Sequence, residues 1–196
     1  MCIAILTTGN SRVPKENLEK GWRSNPDGGG IAYIKDGKVN VEKGLMTLEA
    51  FLAAYDAAHV QSDAGTSMLI HFRIGTSGLK SANNTHPFEV KPQRGPKGAM
   101  IHNGILFRPA GAWTGPDSDR FSDTRVLVAS TNNLLALEQV QQNKAEIAKA
   151  IGHSNKLVFL YDDNSHVIVN ETAGFWHDGM WFSNGTCGIG NRYGRS

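Results

Sequence analysis

Two Asp-Gly pairs constrain the fold of this chain more than any other feature. Asp36-Gly37 lies between the apolar runs 30–35 (GIAYIK) and 38–42 (KVNVE), and Asp178-Gly179 lies between 174–177 (GFWH) and 180–182 (MWF). A two-residue Asp-Gly loop places both residues at positive φ and joins neighbouring antiparallel strands, so each pair predicts a hairpin. Further strands are expected at 2–7 (CIAILT), 67–73 and 99–102, and at 156–161 and 166–170 around Asp162-Asp163-Asn164. Leu48, Phe51, Leu52 and Tyr55 recur at i, i+3, i+4, i+7, which predicts a helix opening at Thr47. Residues 123–151 read as helical, with a break at Asn132-Asn133 and a stop at Gly152. Residues 77–98 read as a polar connection bearing Gly and Pro. Strands, a helix, strands, helices, strands is the order of a layered α+β fold rather than of repeating βαβ units.

The 196 residues carry no internal repeat or low-complexity linker, so 1–196 is expected to form a single domain. Twenty basic and 18 acidic residues leave a net charge of +2, which argues against nucleic acid and an anionic membrane as partners. Lys91, Arg94 and Lys97 form a small basic loop without interleaved aromatics, read as a solvated face. No apolar window approaches the roughly 18 residues of a membrane span, and no basic segment precedes the first apolar run as in a signal peptide. The expected compartment is the reducing cytoplasm, with Cys2 and Cys187 as free thiols. Seven histidines are scattered singly, without HExxH or C-x-x-C, so neither a metal nor another cofactor is expected. Gly28-Gly29-Gly30 precedes a strand and is followed by no GK[ST], so it reads as a tight turn rather than a phosphate loop. Trp176 and Trp181 read as hairpin core.

The chemistry-bearing candidates are short strings. Cys2 follows Met1, and removal of that methionine would place a thiol and a free α-amine on one carbon. With ordinary pKa values of about 8.5 and 7.7–8.0, the amine can serve as base for the thiol. Arg73, in His71-Phe72-Arg73-Ile74-Gly75-Thr76-Ser77-Gly78, offers a planar fork suited to a carboxylate. Asn103 and Gly104, after His102, can supply a side-chain amide and a backbone amide to one oxygen, as an oxyanion hole requires. Asn84-Thr85-His86-Pro87 is turn-forming, and Ser122-Asp123-Thr124 is a helix cap whose carboxylate could also meet an ammonium group. Each string has a bland alternative: an incidental cysteine, a surface ion pair, a hairpin turn, a loop histidine or a plain N-cap.

Taken together and in order, Cys2, Asp27-Gly28-Gly29-Gly30, His71-x-Arg73-x-x-Thr76-x-Gly78, Asn84-x-His86-Pro87, His102-Asn103-Gly104 and Ser122-Asp123-Thr124 resemble the class II glutamine amidotransferase domain of the N-terminal nucleophile hydrolases. The resemblance covers residues 2–124 and implies a four-layer αββα sandwich. It implies that Cys2 attacks the glutamine side-chain amide, with Asn103 and Gly104 stabilising the oxyanion. It also implies that Arg73 and Thr76 hold the substrate carboxylate, that Asp123 holds its ammonium, and that His86 lines the pocket. The products would be glutamate and ammonia.

The chain departs from the family pattern at Ile74 and Ser77, where an aromatic and a His are often found, and at Arg125, where an acidic residue is common. The segment 108–122 has no counterpart in this reading. No nucleotide, sugar-phosphate or ligase motif follows residue 124, so the expectation is a stand-alone glutaminase whose ammonia passes to a separate synthase subunit. Smaller side chains at 74 and 77 leave open a larger γ-glutamyl conjugate as substrate. A catalytically silent scaffold that binds a partner protein is the non-enzymatic alternative.

Overall fold

A computed structural model describes residues 1–75, 78–106 and 120–189. Among them, β1 (Ile3–Thr7), β2 (Gly29–Lys35), β3 (Lys38–Leu45) and β4 (Met68–Phe72) join β9 (Phe175–His177) and β10 (Met180–Phe182) in one sheet, ordered β3-β2-β4-β1-β10-β9. The second sheet, ordered β5-β6-β7-β8, holds β5 (Phe88–Val90), β6 (Gly98–Asn103), β7 (Lys156–Tyr161) and β8 (His166–Val169). Neighbouring strands are antiparallel throughout both sheets. Helices α1 (Lys15–Ser24) and α2 (Leu48–Gln61) cover the first sheet, and α3 (Asp123–Thr131), α4 (Leu137–Gln142) and α5 (Lys144–Ile151) cover the second.

The period-2 alternation of the strands divides the apolar residues into three cores. Ile3 and Ile5 of β1, Ile31 and Tyr33 of β2 and Ile70 and Phe72 of β4 face outward onto Leu18, Trp22, Phe51 and Tyr55 of α1 and α2. The residues between them, Ala4, Leu6, Ala32, Ile34 and Leu69, face inward and meet Ala99, Ile101, Val158 and Leu160 of the second sheet. Met100, Leu157, Phe159 and Tyr161 point to the far side, against Val128, Leu135 and Val140. The result is four layers, αββα. Each fully buried Leu, Ile, Val or Phe in them is worth about 1.5–3 kcal/mol against exposure.

Both Asp-Gly hairpins form, with Asp36 and Gly37 at φ 53° and 66° and Asp178 and Gly179 at 47° and 73°. Thr47 caps α2 through a bond from the Ala50 amide (3.2 Å). The helical stretch breaks at Asn132 as expected, and again at Ala136 and Asn143. Two elements were not legible. In α1 only Leu18 and Trp22 supply an apolar i, i+4 pair, and Gly21 stands where a Cβ would lie 2.9 Å from Phe72 and Cys187. Strand β5 is three residues long, inside the stretch read as a polar connection. The core reading of the last hairpin holds for Trp181, which is fully buried, but not for Trp176, which is 44% exposed and donates to Glu171 Oε1 (2.9 Å). Among the described residues no helix is long and apolar enough to cross a membrane.

Candidate active site

Strand register brings the sequence candidates to one end of the inter-sheet layer. Ala4 pairs with His71 and Ile3 with Phe72, so Cys2, just before β1, lies beside Arg73, just after β4. Asn103 ends β6 opposite Lys156 of β7. By the same alternation Cys2 continues the inward face of Ala4 and Leu6, and Asn103 continues that of Ala99 and Ile101. The two meet: the Asn103 Nδ2 donates to the Cys2 carbonyl, which also accepts from Asn184 Nδ2 at 2.9 Å. Asn25 Nδ2 donates to the Met1 carbonyl (2.9 Å), and Lys156 Nζ donates to Asn103 Oδ1 (3.5 Å). Asn25, Asn184 and Lys156 belong to none of the motifs that carry the resemblance. They reach Cys2 and Asn103 only through the fold.

Cys2 is buried, and its Sγ–H points at the Ile74 carbonyl (3.6 Å). Burial pushes the thiol pKa up; the Arg73 cation opposes that shift, and the Asp123 carboxylate adds to it. Thiol, cation and carboxylate therefore lie within electrostatic reach of one another. Arg73 is 2% exposed, which excludes the surface ion pair considered for it. Its backbone N–H donates to Gly28 O (2.8 Å) and its carbonyl accepts from Asp27 N (3.0 Å), extending the β2–β4 ladder; Nη2 donates to Gly78 O (3.4 Å). Asp27 braces the loop after β4: its carboxylate pairs with Lys80 (2.7 Å) and accepts from Gly75 N (2.9 Å), contacts that hold its pKa below the usual value. Thr76 and Ser77 lie outside the described residues, as does most of the 108–122 segment.

Asp123 opens α3. Its carboxylate accepts from Leu106 N and Thr124 N, both at 2.7 Å, while Ser122 caps the helix by accepting from Arg125 N (3.2 Å). Gly104 has φ +143°, and a Cβ there would lie 2.1 Å from Asn155 Oδ1, so the position admits no side chain.

Three buried histidines lie under this end of the layer. His71 Nε2–H donates to the His102 carbonyl (2.9 Å), and the His86 ring packs 4.0 Å from that of His71 and 4.8 Å from that of Phe88. His102 bonds Thr124 Oγ1 (2.8 Å) and Asn155 Oδ1 (2.9 Å), tying β6 to α3 and to the turn before β7. Burial drives all three pKa values down, His71 to about 3 and His86 well below its ordinary value. His86 is thus no loop-surface residue: it is 4% exposed, and the glycine run lets it in. A Cβ at Gly30 would stand 2.2 Å from the His86 carbonyl, so these glycines serve close backbone approach rather than a tight turn alone. Asn84 secures the same segment, donating to Leu79 O (2.9 Å) and Arg120 O (2.7 Å) and accepting from Ser122 N (3.1 Å). Cys187 stands apart from the site, fully buried, its thiol pushed up to about 12 by burial.

Neither a known family profile nor a curated protein sequence matches the chain. Solved structures do. Glutamine phosphoribosylpyrophosphate amidotransferase from B. subtilis, complexed with ADP and GMP, superposes with a TM-score of 0.64 at 16% identity, covering 95% of this chain and 42% of that one. The four-layer αββα fold is shared with that enzyme. A second structure, described as the allosteric regulatory enzyme of purine biosynthesis, gives a TM-score of 0.63, also at 16% identity, over 93% of this chain and 41% of that one. This chain therefore spans about two fifths of the length of either neighbour. The class II glutamine amidotransferase resemblance carried by six short strings holds at the level of the fold.

Proposed function

We propose that this chain hydrolyses the side-chain amide of glutamine through a covalent intermediate on Cys2. The observation that carries the reading is the meeting of Cys2 and Asn103, 101 residues apart in sequence, at the polar end of the inter-sheet layer beside buried Arg73. Once Met1 is removed, the α-amine of Cys2 accepts the thiol proton. Sγ then bonds to the amide carbon. The oxyanion is held by Asn103 Nδ2 and the Gly104 N–H, in donor roles that each contribute about 3–4 kcal/mol in comparable sites. The C–N bond breaks, the protonated nitrogen leaves as ammonia, and water cleaves the thioester to glutamate and free thiol. Arg73 and Thr76 hold the substrate carboxylate, Asp123 its ammonium, and His86 lines the pocket as a neutral ring. A zwitterionic substrate calls for one cationic and one anionic anchor, and Arg73 and Asp123 both act on the Cys2 thiol.

In this reading 1–196 works as one glutaminase domain in the cytoplasm, and a separate synthase consumes the ammonia. Intact mass before and after a glutamine-mimicking diazoketone tests the first step. The expected result is loss of Met1 and one adduct, absent from Cys2→Ala. A processed chain that takes no adduct and leaves glutamine intact overturns the reading. Native pull-down tests the second step: a synthase should co-purify.

A further inference from the structure

The edge strands of the two sheets, β3 and β5, converge beneath α3 on a groove of about 430 Å³ that no step of the proposed reaction uses. Val41, Val128 and Ala129 give it apolar walls, and Lys43 and Arg125 both line it. Lys43 Nζ sits 4.0 Å over the Phe88 ring and donates to Asn83 O (3.3 Å). Arg125 stacks on Phe121 at 4.1 Å. Among the described residues neither cation has a carboxylate within ion-pair distance; Glu89, the acid lining the groove, pairs with Lys91 at 2.6 Å.

Two like charges in one half-buried groove repel, and the repulsion is larger where water is excluded. It is felt at Lys43: burial, then the charge of Arg125, lowers its pKa to about 8, with Glu89 only partly opposing. The long stem of Lys43 could cover Phe88 for packing alone. That role gives no reason to set a second cation, on another element, against it. An anion between the two would remove the repulsion and take charge-assisted hydrogen bonds from both.

We propose that this groove is a binding site for a carboxylate carried on a small apolar body. Phe88, which lines it, contacts the ring of His86, so the groove adjoins the buried histidines of the candidate active site. The carboxylate has two possible sources, a free organic acid or the amine-side acid of a γ-glutamyl substrate.

The test uses the whole chain with lysine labelled at the ε-carbon with carbon-13, the Lys43 signal being identified by its loss in Lys43→Met. Phenylacetate, γ-glutamylglycine and the neutral control phenylacetamide are titrated in at constant ionic strength. A carboxylate should move the Lys43 signal saturably and raise its titration midpoint toward that of an ordinary lysine; the amide should do neither. Arg125→Gln should weaken binding about tenfold or more, whereas Lys43→Arg, followed by calorimetry, should retain it. The tighter of the two acids identifies the source. A response that does not saturate, or one equal for acid and amide, overturns the site. The readout needs no turnover, so it stands or falls separately from glutamine hydrolysis.

Discussion

The two ends of the inter-sheet layer are built from the same faces of the same strands, yet their chemistry is opposite. Along β1 the inward positions run Leu6, Ala4, Cys2; along β4, Leu69, His71, Arg73; along β6, Ala99, Ile101, Asn103. One end is sealed by Leu6, Ile34, Leu69, Val158 and Leu160, each at most 2% exposed. The other end buries a thiol, a guanidinium, an ammonium, the four carboxamides of Asn25, Asn84, Asn103 and Asn155, and three imidazoles. Nothing in strand geometry distinguishes the ends; two or four residues along one face convert core to site. The dry end holds the sheets in register, and the polar end uses that register to set side chains from remote parts of the chain against each other. Burying polar groups costs stability unless each is bonded, and at the polar end both nitrogens of His86 and Nδ1 of His71 lack a partner among the described residues.

Four measurements sharpen or break this division. The largest effect is expected from Cys2→Ala, which should reduce glutamine hydrolysis by at least about 10⁴-fold while leaving the melting temperature nearly unchanged. A large loss of stability instead would make Cys2 a core residue and erase the distinction. Asn103→Ala should lower kcat by about 10²–10³-fold; a change confined to KM would remove it from the oxyanion site. Leu69→Ala, at the dry end of the same face as His71, should cost about 2–5 kcal/mol in urea unfolding. Its kcat per folded molecule should stay at the parent value, and a fall in kcat would show that the two ends are not separable.

The smallest effect is graded with pH. His71 and His86 are held neutral in the folded chain and titrate near the ordinary value of 6.5 once unfolded. The unfolded state therefore binds more protons below about pH 6.5, and stability falls as pH drops from there toward about 3 for His71. Each such histidine contributes a slope of about 1.4 kcal/mol per pH unit. Urea unfolding between pH 7 and 5 should show this slope flattened in His71→Leu, and an unchanged slope would place the acid sensitivity elsewhere.

Much of the fold was legible in the sequence because its signals are local. An Asp-Gly pair flanked by two strand-forming runs selects a hairpin, as at Asp36-Gly37 and Asp178-Gly179 but not at Asp27-Gly28, and the stripe Leu48, Phe51, Leu52, Tyr55 specifies a helical face without reference to its partner. Elements whose stability comes from contact were not legible. Helix α1 shows two apolar residues and β5 three residues in all, and both are held by the layers they join. Trp176 and Trp181 are chemically identical cross-strand partners and share one face of the sheet, yet Trp181 on the inner strand β10 is fully buried while Trp176 on the edge strand β9 is left 44% exposed.

For the site, the sequence by itself determined which side chains are available: a cysteine behind Met1, an arginine ending a strand, an Asn-Gly pair and a glycine run, each constrained by short-range chemistry. The tertiary structure decided which of them meet. Antiparallel register set Cys2 beside Arg73, and stacking of two sheets carried Asn103 onto the Cys2 carbonyl. It also recruited Asn184, 182 residues away, and Asn155, neither of which belongs to a motif. Spacing along a chain encodes a periodicity, but the distance between strands of two stacked sheets depends on every side chain packed between them.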